Sequence, residues 1–458
     1  MGDGVRLSET AGAARLAQER LRLPVDGCWR FQAVVCLLLL AITFSGRAWA
    51  QDAGVGGSRS EMTTAAKVST GADVLVRDRF AALAGKRVGL VTNHTGRVGG
   101  ERLIDVLARA PGVKLASILT PEHGLGGTAE AGARVKGGTD AATGLPVFSI
   151  YGATEKPTLD MLRGLDVLVF DMQDIGVRYY TYISTMGLCM QAAAEARIPF
   201  VVLDRPNPLG GTNVSGFVLE RPLASFIGRF AIPQVHGLTV GELAHMIKGE
   251  RLLRGLENLE LTVIPLEGWT RDMLWPDTGL AWVATSPNIP TFETALAYAG
   301  TGLFEQTAAS EGRGTPAPFL WLGHPAVDAA QVVRQVTAAG LPGVRFEAAR
   351  FTPKRIKGVA SRPRFADQVI PGVRIMITDF RSYRPVETAV HLLVAFDRQL
   401  RAGGTLGLVD KADEFNRIAG TRRLLELLDR GASAPEIIAS WQAEVAAFRK
   451  QRERYLRY

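Results

Sequence analysis

The sequence predicts an α/β fold: a domain built on a mostly parallel sheet, followed by a smaller α+β domain. Three observations carry this expectation. Five short apolar runs have the character of buried parallel strands, namely residues 87–92 (RVGLVT), 114–120 (KLASILT), 146–151 (PVFSIY), 166–170 (DVLVF) and 200–203 (FVVL). Helical stretches at 101–110, 158–163 and 182–197 separate several of them, and strands alternating with helices build parallel sheets. Beyond residue 260 the alternation weakens, although 458 residues are too many for one small core. The reading places the first domain at 71–260 and the second at 261–458.

The elements follow in order. Residues 33–44 (AVVCLLLLAITF) form an apolar run too short to span a bilayer comfortably. Arg30 precedes it and Ala48-Trp49-Ala50 follows, the layout of a cleaved secretory signal peptide over 1–50. The alternative is an uncleaved anchor. Residues 51–70 are small and polar and read as a flexible lead-in. Past the five strands, 240–249 (VGELAHMIKG) is an amphipathic helix and 259–265 a strand. A stretch from 268 to 325, punctuated by Gly and Pro, shows little periodicity. Residues 373–378 (VRIMIT) read as a strand and 411–458 as charged helix.

Cysteine use and charge narrow the function classes. Cys28 and Cys36 fall in the leader, so Cys189 alone remains in the mature chain, where it reads as a buried small hydrophobe. Net charge is +8 with the Arg residues scattered, which argues against nucleic-acid binding and fits anionic surroundings such as cell-wall carboxylates. No Gly-x-Ser-x-Gly elbow, phosphate-binding loop or zinc spacing is present, so neither cofactor nor metal is expected.

Ligands of open parallel sheets bind beyond the carboxyl ends of the strands. Four of the five expected strand ends are polar there: Asn93-His94, Glu122-His123, Asp171 with Gln173 and Asp174, and Asp204-Arg205 with Asn207. Capping and turn formation account for any one of these alone; their coincidence favours a site. Glu122, between Pro121 and His123-Gly124, is the sharpest candidate, because a shielded carboxyl serves as general acid. Asp171, Asp174 and Glu311 are candidates for a second catalytic group. Arg178, Arg205 and Arg313 are candidates for gripping a substrate carboxylate, the last lying between two glycines. Asn288, in the rigid turn Ser-Pro-Asn-Ile-Pro, is a further binding candidate. Trp269, Trp275 and Trp282 either stack on sugars or belong to the core.

The succession GLVTNHTGR, TPEHGLGG, TGLPVFSIYG, VFDMQDIGVRYYTYISTM, LDRPNPLGG, GLTVGELA, SPNIPT and SEGRGT resembles the exo-β-N-acetylmuramidase family of glycoside hydrolases, in order from about residue 87 to 320. The resemblance implies a Rossmann-like N-terminal domain with a cleft and a smaller C-terminal domain. It implies release of terminal N-acetylmuramic acid from peptidoglycan fragments, and the family's strand-end glutamate falls on Glu122. Two departures stand out. Residues 305–310 read EQTAAS where the family pattern is closer to Glu-Gly-Thr-Asn-x-Ser, and Thr285 precedes Ser-Pro-Asn where Pro is usual. The competing readings are a metal-assisted hydrolase using Glu122, His123, Asp171 and Asp174, and a non-catalytic periplasmic binding protein for wall fragments.

Overall fold

The computed structural model describes residues 68–458, so the signal peptide expected at 1–50 and most of the lead-in lie outside the described residues. The last three lead-in residues belong to the fold, contrary to expectation. Val68 is buried, Ser69 bridges to Glu267, and Thr70 forms a capping box with Asp73 at the start of α1 (Gly71–Arg77).

The central strand is β1 (Arg87–Thr92). A small ribbon, β2 (Arg97–Val98) with β3 (Glu101–Arg102), leads into α2 (Leu103–Ala108). On one side of β1 lie β4 (Lys114–Thr120), then β6 (Pro146–Ser149), with β5 (Gly138–Thr139) as an antiparallel edge. On the other side lie β7 (Val167–Asp171), β8 (Phe200–Leu203) and β9 (Leu261–Ile264), all parallel. The last is the strand expected at 259–265, and it pairs with β8, so the sheet runs past the boundary expected at 260. α3 (Tyr182–Ala196) and α4 (Val240–Gly249) are the crossovers among β7, β8 and β9.

Alternation along the strands sorts their side chains onto two faces. Val88 and Leu90 of β1, Val167 and Val169 of β7, and Val201 and Leu203 of β8 pack with Ala72 of α1 and Leu103 and Leu107 of α2. Leu168 and Phe170 of β7 and Phe200 and Val202 of β8 pack on the opposite face with Tyr182 and Met186 of α3 and Leu243 of α4. That second core does not stop at the sheet domain. It continues through Leu296, Phe304, Phe319, Val373 and Val390 to Trp441, so both halves share one interior.

Two expectations fail locally. Residues 158–163 form successive turns closed by i to i+3 backbone bonds (Met161 to Thr158, Leu162 to Leu159) and end at Gly164 with φ 73°, so no α-helix propagates. The stretch from 268 to 325 conceals α5 (Phe292–Thr301), capped by Thr291. Nine of its ten residues are buried, so no polar face marks a helical period.

The C-terminal part holds the antiparallel sheet β10 (Trp321–Gly323), β12 (Ile370–Ile377) and β11 (Val344–Phe351), in that spatial order. α6 (Ala329–Ala338), α7 (Pro385–Ala402), α8 (Ala412–Ala419), α9 (Arg423–Asp429), α10 (Ala434–Ser440) and α11 (Gln442–Arg452) complete it. Among the described residues no helix is long and apolar enough to cross a membrane.

α5 and α7 approach so closely that a Cβ on Gly300 would sit 1.9 Å from the Pro385 carbonyl oxygen. Helix propensity alone favours Gly300→Ala by about 1 kcal/mol. The clash opposes it with an overpacking penalty of roughly 1–3 kcal/mol. We expect Gly300→Ala to lower the urea midpoint; a raised midpoint would show that the helices can part without loss.

Candidate active site

A cavity of about 300 Å³ opens where the carboxyl ends of β4 and β6 face the C-terminal part. From the sheet side come Glu122 and His123 after β4, Tyr151 after β6, and Thr181 just before α3. From the other side come Asn288, Tyr298 on α5, Glu305 on the 3₁₀ turn after α5, and Arg313.

Glu122 is buried, and each of its oxygens accepts a hydrogen bond. The Gly132 amide donates to Oε1 at 2.9 Å and the Thr181 hydroxyl to Oε2 at 2.7 Å. Two donors on fixed backbone hold the carboxylate in one orientation. His123 sits at φ 69°, a left-handed conformation uncommon for a non-glycine residue. Its Nδ1 donates to the Ala129 carbonyl at 2.7 Å, which leaves Nε2 as the acceptor. Burial holds its pKa below the ordinary histidine value, so the ring is neutral at pH 7.

Glu305 is the second cavity carboxylate. Burial pushes its pKa up to about 7; the Arg313 guanidinium opposes this, and the charges of Glu311 and Glu122 reinforce it. Arg313 donates to Glu305, lies 3.4 Å from Glu311, and stacks over the Phe319 ring at 5.3 Å. One guanidinium between two carboxylates does not compensate both, so a proton stays close to the pair. The flanking glycines are required. A Cβ on Gly312 would meet the Trp321 carbonyl oxygen at 2.7 Å, and one on Gly314 the Lys354 carbonyl oxygen at 2.3 Å.

Residues 88–293 match the family model described as exo-beta-N-acetylmuramidase NamZ, N-terminal, and residues 296–458 its C-terminal counterpart. The chain belongs to the exo-β-N-acetylmuramidase NamZ family. It is 39% identical over 408 residues to the peptidoglycan beta-N-acetylmuramidase NamZ of Bacillus subtilis (strain 168), covering 88% of this chain and 94% of that protein. Two crystal structures of DUF1343 family proteins from Bacteroides fragilis NCTC 9343 share the fold. One superposes with a TM-score of 0.77 at 35% identity, covering 86% of this chain and 99% of that one. The other gives 0.68 at 31%, covering 85% and 99%. The two NamZ models meet between residues 293 and 296, within α5, and not at the boundary expected at 260.

Within this NamZ frame the expected site residues divide. Glu122, His123, Asn288 and Arg313 line the cavity, and Glu311 lies on an adjoining one. The remaining candidates do not reach it. Asp171 and Arg205 are buried against each other in a two-pronged pair at 2.6 and 2.9 Å. That pair joins the carboxyl end of β7 to the loop after β8. Asp174 accepts the Gly176 amide at 2.6 Å, and burial pushes its pKa up to about 7, outside the cavity. Gln173 donates to the Asp174 and Pro206 carbonyls, and with Arg205 borders a separate cavity of about 120 Å³.

Asn93 shapes its own loop, accepting from Thr95 and donating to the Tyr182 hydroxyl at 2.8 Å. His94 bonds the Ala284 carbonyl at 2.6 Å. Asp204 accepts from the Gly241 amide and from the hydroxyls of Thr239 and Tyr458, an anchor for α4 and the C-terminal residue. Asn207 organises its own turn, accepting from the Leu209 amide and donating to the Leu238 carbonyl. Arg178 is fully buried and donates to four carbonyls, of Phe217, Ile232, Ile418 and Ala419. None of the three tryptophans lines the cavity; Trp275 and Trp282 pack edge to face 5.2 Å apart.

Sequence reasoning missed Glu305 as a site residue. The available signal was the departure at 305–310 itself, an acid at the head of an irregular segment. Thr285, the other departure, accepts the Tyr180 hydroxyl at 2.8 Å and so braces a residue that lines the cavity.

If Arg178 is structural, Arg178→Ala should strand four buried carbonyls and cost roughly 3–5 kcal/mol in denaturant unfolding. The KM of the folded fraction should stay unchanged. A variant of wild-type stability with a raised KM would return Arg178 to the substrate.

Proposed function

We propose that this chain is an exo-acting glycoside hydrolase that releases terminal N-acetylmuramic acid from peptidoglycan-derived saccharides. The observation that carries the reading is the pairing of Glu122 and Glu305 in one cavity walled by Tyr151, Tyr298 and Phe319. Two carboxylates with unequal environments are the usual equipment for glycosidic hydrolysis. A volume of about 300 Å³ suits one sugar residue, at the low end of ligand cavities, which supports action at a chain end. The aromatic walls present faces on which a pyranose ring packs. The B. subtilis relative, a peptidoglycan beta-N-acetylmuramidase, supports the same substrate class.

The unequal environments support a division of roles. Glu305, with its pKa pushed up to about 7, keeps its proton in about half of the molecules at neutral pH and protonates the leaving oxygen. Glu122, with both oxygens accepting hydrogen bonds, acts as the carboxylate facing the anomeric carbon or activating its attacker. This exchanges the acid role expected for Glu122 in the sequence. The metal-assisted reading required Asp171 and Asp174 beside Glu122, and Arg205 and the Gly176 amide hold them elsewhere.

Glu122→Gln and Glu305→Gln should each cut turnover of a natural muramyl disaccharide by roughly 10²–10⁴. With an aryl muramide whose leaving group needs no proton, Glu305→Gln should recover most of its rate and Glu122→Gln should not. Because the acid must be protonated, wild-type turnover should fall as pH rises through about 7, and Glu305→Gln should lose that limb. Equal rates for wild type and both variants would remove the pair from the mechanism.

The proposed place of action is the periplasm or the cell exterior. The apolar run at 33–44 and the Ala48-x-Ala50 pattern support it. N-terminal sequencing of the mature protein should begin at Gln51; recovery of the uncleaved chain from membranes would favour the anchor.

A further inference from the structure

Arg313 is poorly placed to recognise an acidic substrate, because its guanidinium already faces Glu305 and Glu311. Those three groups carry one positive charge against two potential negative ones. With the proton on Glu305, Arg313 and Glu311 balance each other, so an incoming carboxylate finds no net positive charge there. An enzyme for an acidic sugar therefore needs a cation elsewhere along the cavity wall.

The structure offers one. A second cavity of about 200 Å³ adjoins the first and shares Asn288, Glu305 and Arg313 as a wall. Its far side is the loop between β11 and β12, which contributes Arg362 and Arg364. Arg364 lies 3.3 Å from Asp410. Arg362 is exposed and, among the described residues, is the cation lining either cavity that has no carboxylate partner.

The loop is held rather than loose. The Ser361 amide donates to Glu130 Oε1 at 2.7 Å, the Asn288 side-chain amide donates to the Val359 carbonyl at 2.8 Å, and the Lys354 amide donates to the Gly314 carbonyl at 2.8 Å. Two of these anchors fall within three residues of Arg362. On the shared wall, Asn288 Oδ1 and Arg313 Nε are buried polar atoms without a hydrogen-bond partner. Of the two, Arg313 Nε is a donor and Asn288 Oδ1 an acceptor, so the shared wall keeps unused bonding capacity of both kinds.

We propose that Arg362 binds the carboxylate carried by the sugar in the catalytic cavity, so that the second cavity is the subsite that reads acidity. This rests on the function proposed above. N-acetylmuramic acid differs from N-acetylglucosamine by a 3-O-lactyl group. Its carboxylate is free in the bare sugar and amide-linked when a stem peptide is attached, where the peptide supplies carboxylates of its own. A guanidinium recognises either source by charge-assisted hydrogen bonds.

Calorimetry on the full chain tests this with N-acetylmuramic acid, muramyl dipeptide and N-acetylglucosamine as probes, against wild type, Arg362→Ala and Arg362→Lys. Arg362→Ala should weaken the acidic probes about tenfold or more, as expected for losing one charge-assisted hydrogen bond. It should leave N-acetylglucosamine unchanged, and Arg362→Lys should restore part of the loss. Weakening of N-acetylmuramic acid alone assigns the lactyl carboxylate; weakening of the dipeptide alone assigns the stem. Unchanged affinity for both acidic probes, or equal weakening of all three, overturns the inference. Hydrolysis of an aryl muramide by the same wild-type preparation then decides whether the proposed function survives that failure. Wild type that neither binds nor hydrolyses a muramide overturns both.

Discussion

A guanidinium buried among four carbonyls ties the loops after β7 and β8 to the C-terminal helices. Arg178 reaches Phe217 and Ile232 on one side and Ile418 and Ala419, at the end of α8, on the other. Burial lowers its pKa to about 10, so it remains charged at neutral pH, and the carbonyl dipoles take the place of a counter-ion. The four residues after it fasten three segments. Tyr179 donates to the carbonyls of Tyr298 and Ala299 on α5, Tyr180 to Thr285, Thr181 to Glu122, and Tyr182 to the Thr285 carbonyl. One short stretch thus sets the position of Glu122 relative to the part of the chain that carries Glu305.

The same stretch shows why the two halves share a core. A cavity assembled from two parts keeps its geometry only if the parts do not drift, and interiors as dense as organic crystals resist such drift. The continuity from Phe170 and Tyr182 to Phe304, Phe319 and Val390 supplies that rigidity. It places Glu305 and Glu122 on separate halves whose separation is set by packing and not by a hinge.

Much of the sheet was legible because its strands are buried on both faces, and uninterrupted apolar runs such as 87–92 and 200–203 fit little besides a buried strand. The site was less legible. The rule that ligands sit beyond strand ends pointed equally to four loops, yet the polar groups after β1, β7 and β8 largely satisfy one another: Asp171 with Arg205, Asn93 with Thr95, Asp204 with Thr239. The loops after β4 and β6 open on the cavity directly, whereas those after β7 and β8 reach it through Tyr179, Tyr180, Thr181 and Ile227, far along the chain from their strand ends. Nothing in one-dimensional spacing distinguishes an aspartate that meets an arginine in the fold from one that meets a substrate. Glu305 and α5 were hidden for a related reason: a helix buried nearly all round shows no polar stripe, and the turn that follows it inherits none.

Hydrolysis by two carboxylates drawn from both halves, with the proton held on Glu305, is the reading on which the assigned roles stand. Carbon-13 titration of side-chain carboxyls, comparing wild type with Glu305→Gln, probes that proton itself. A resonance that titrates near pH 7 in wild type and is missing from the variant is the expected result. A Glu305 resonance titrating in the ordinary glutamate range, at about 4, would contradict it.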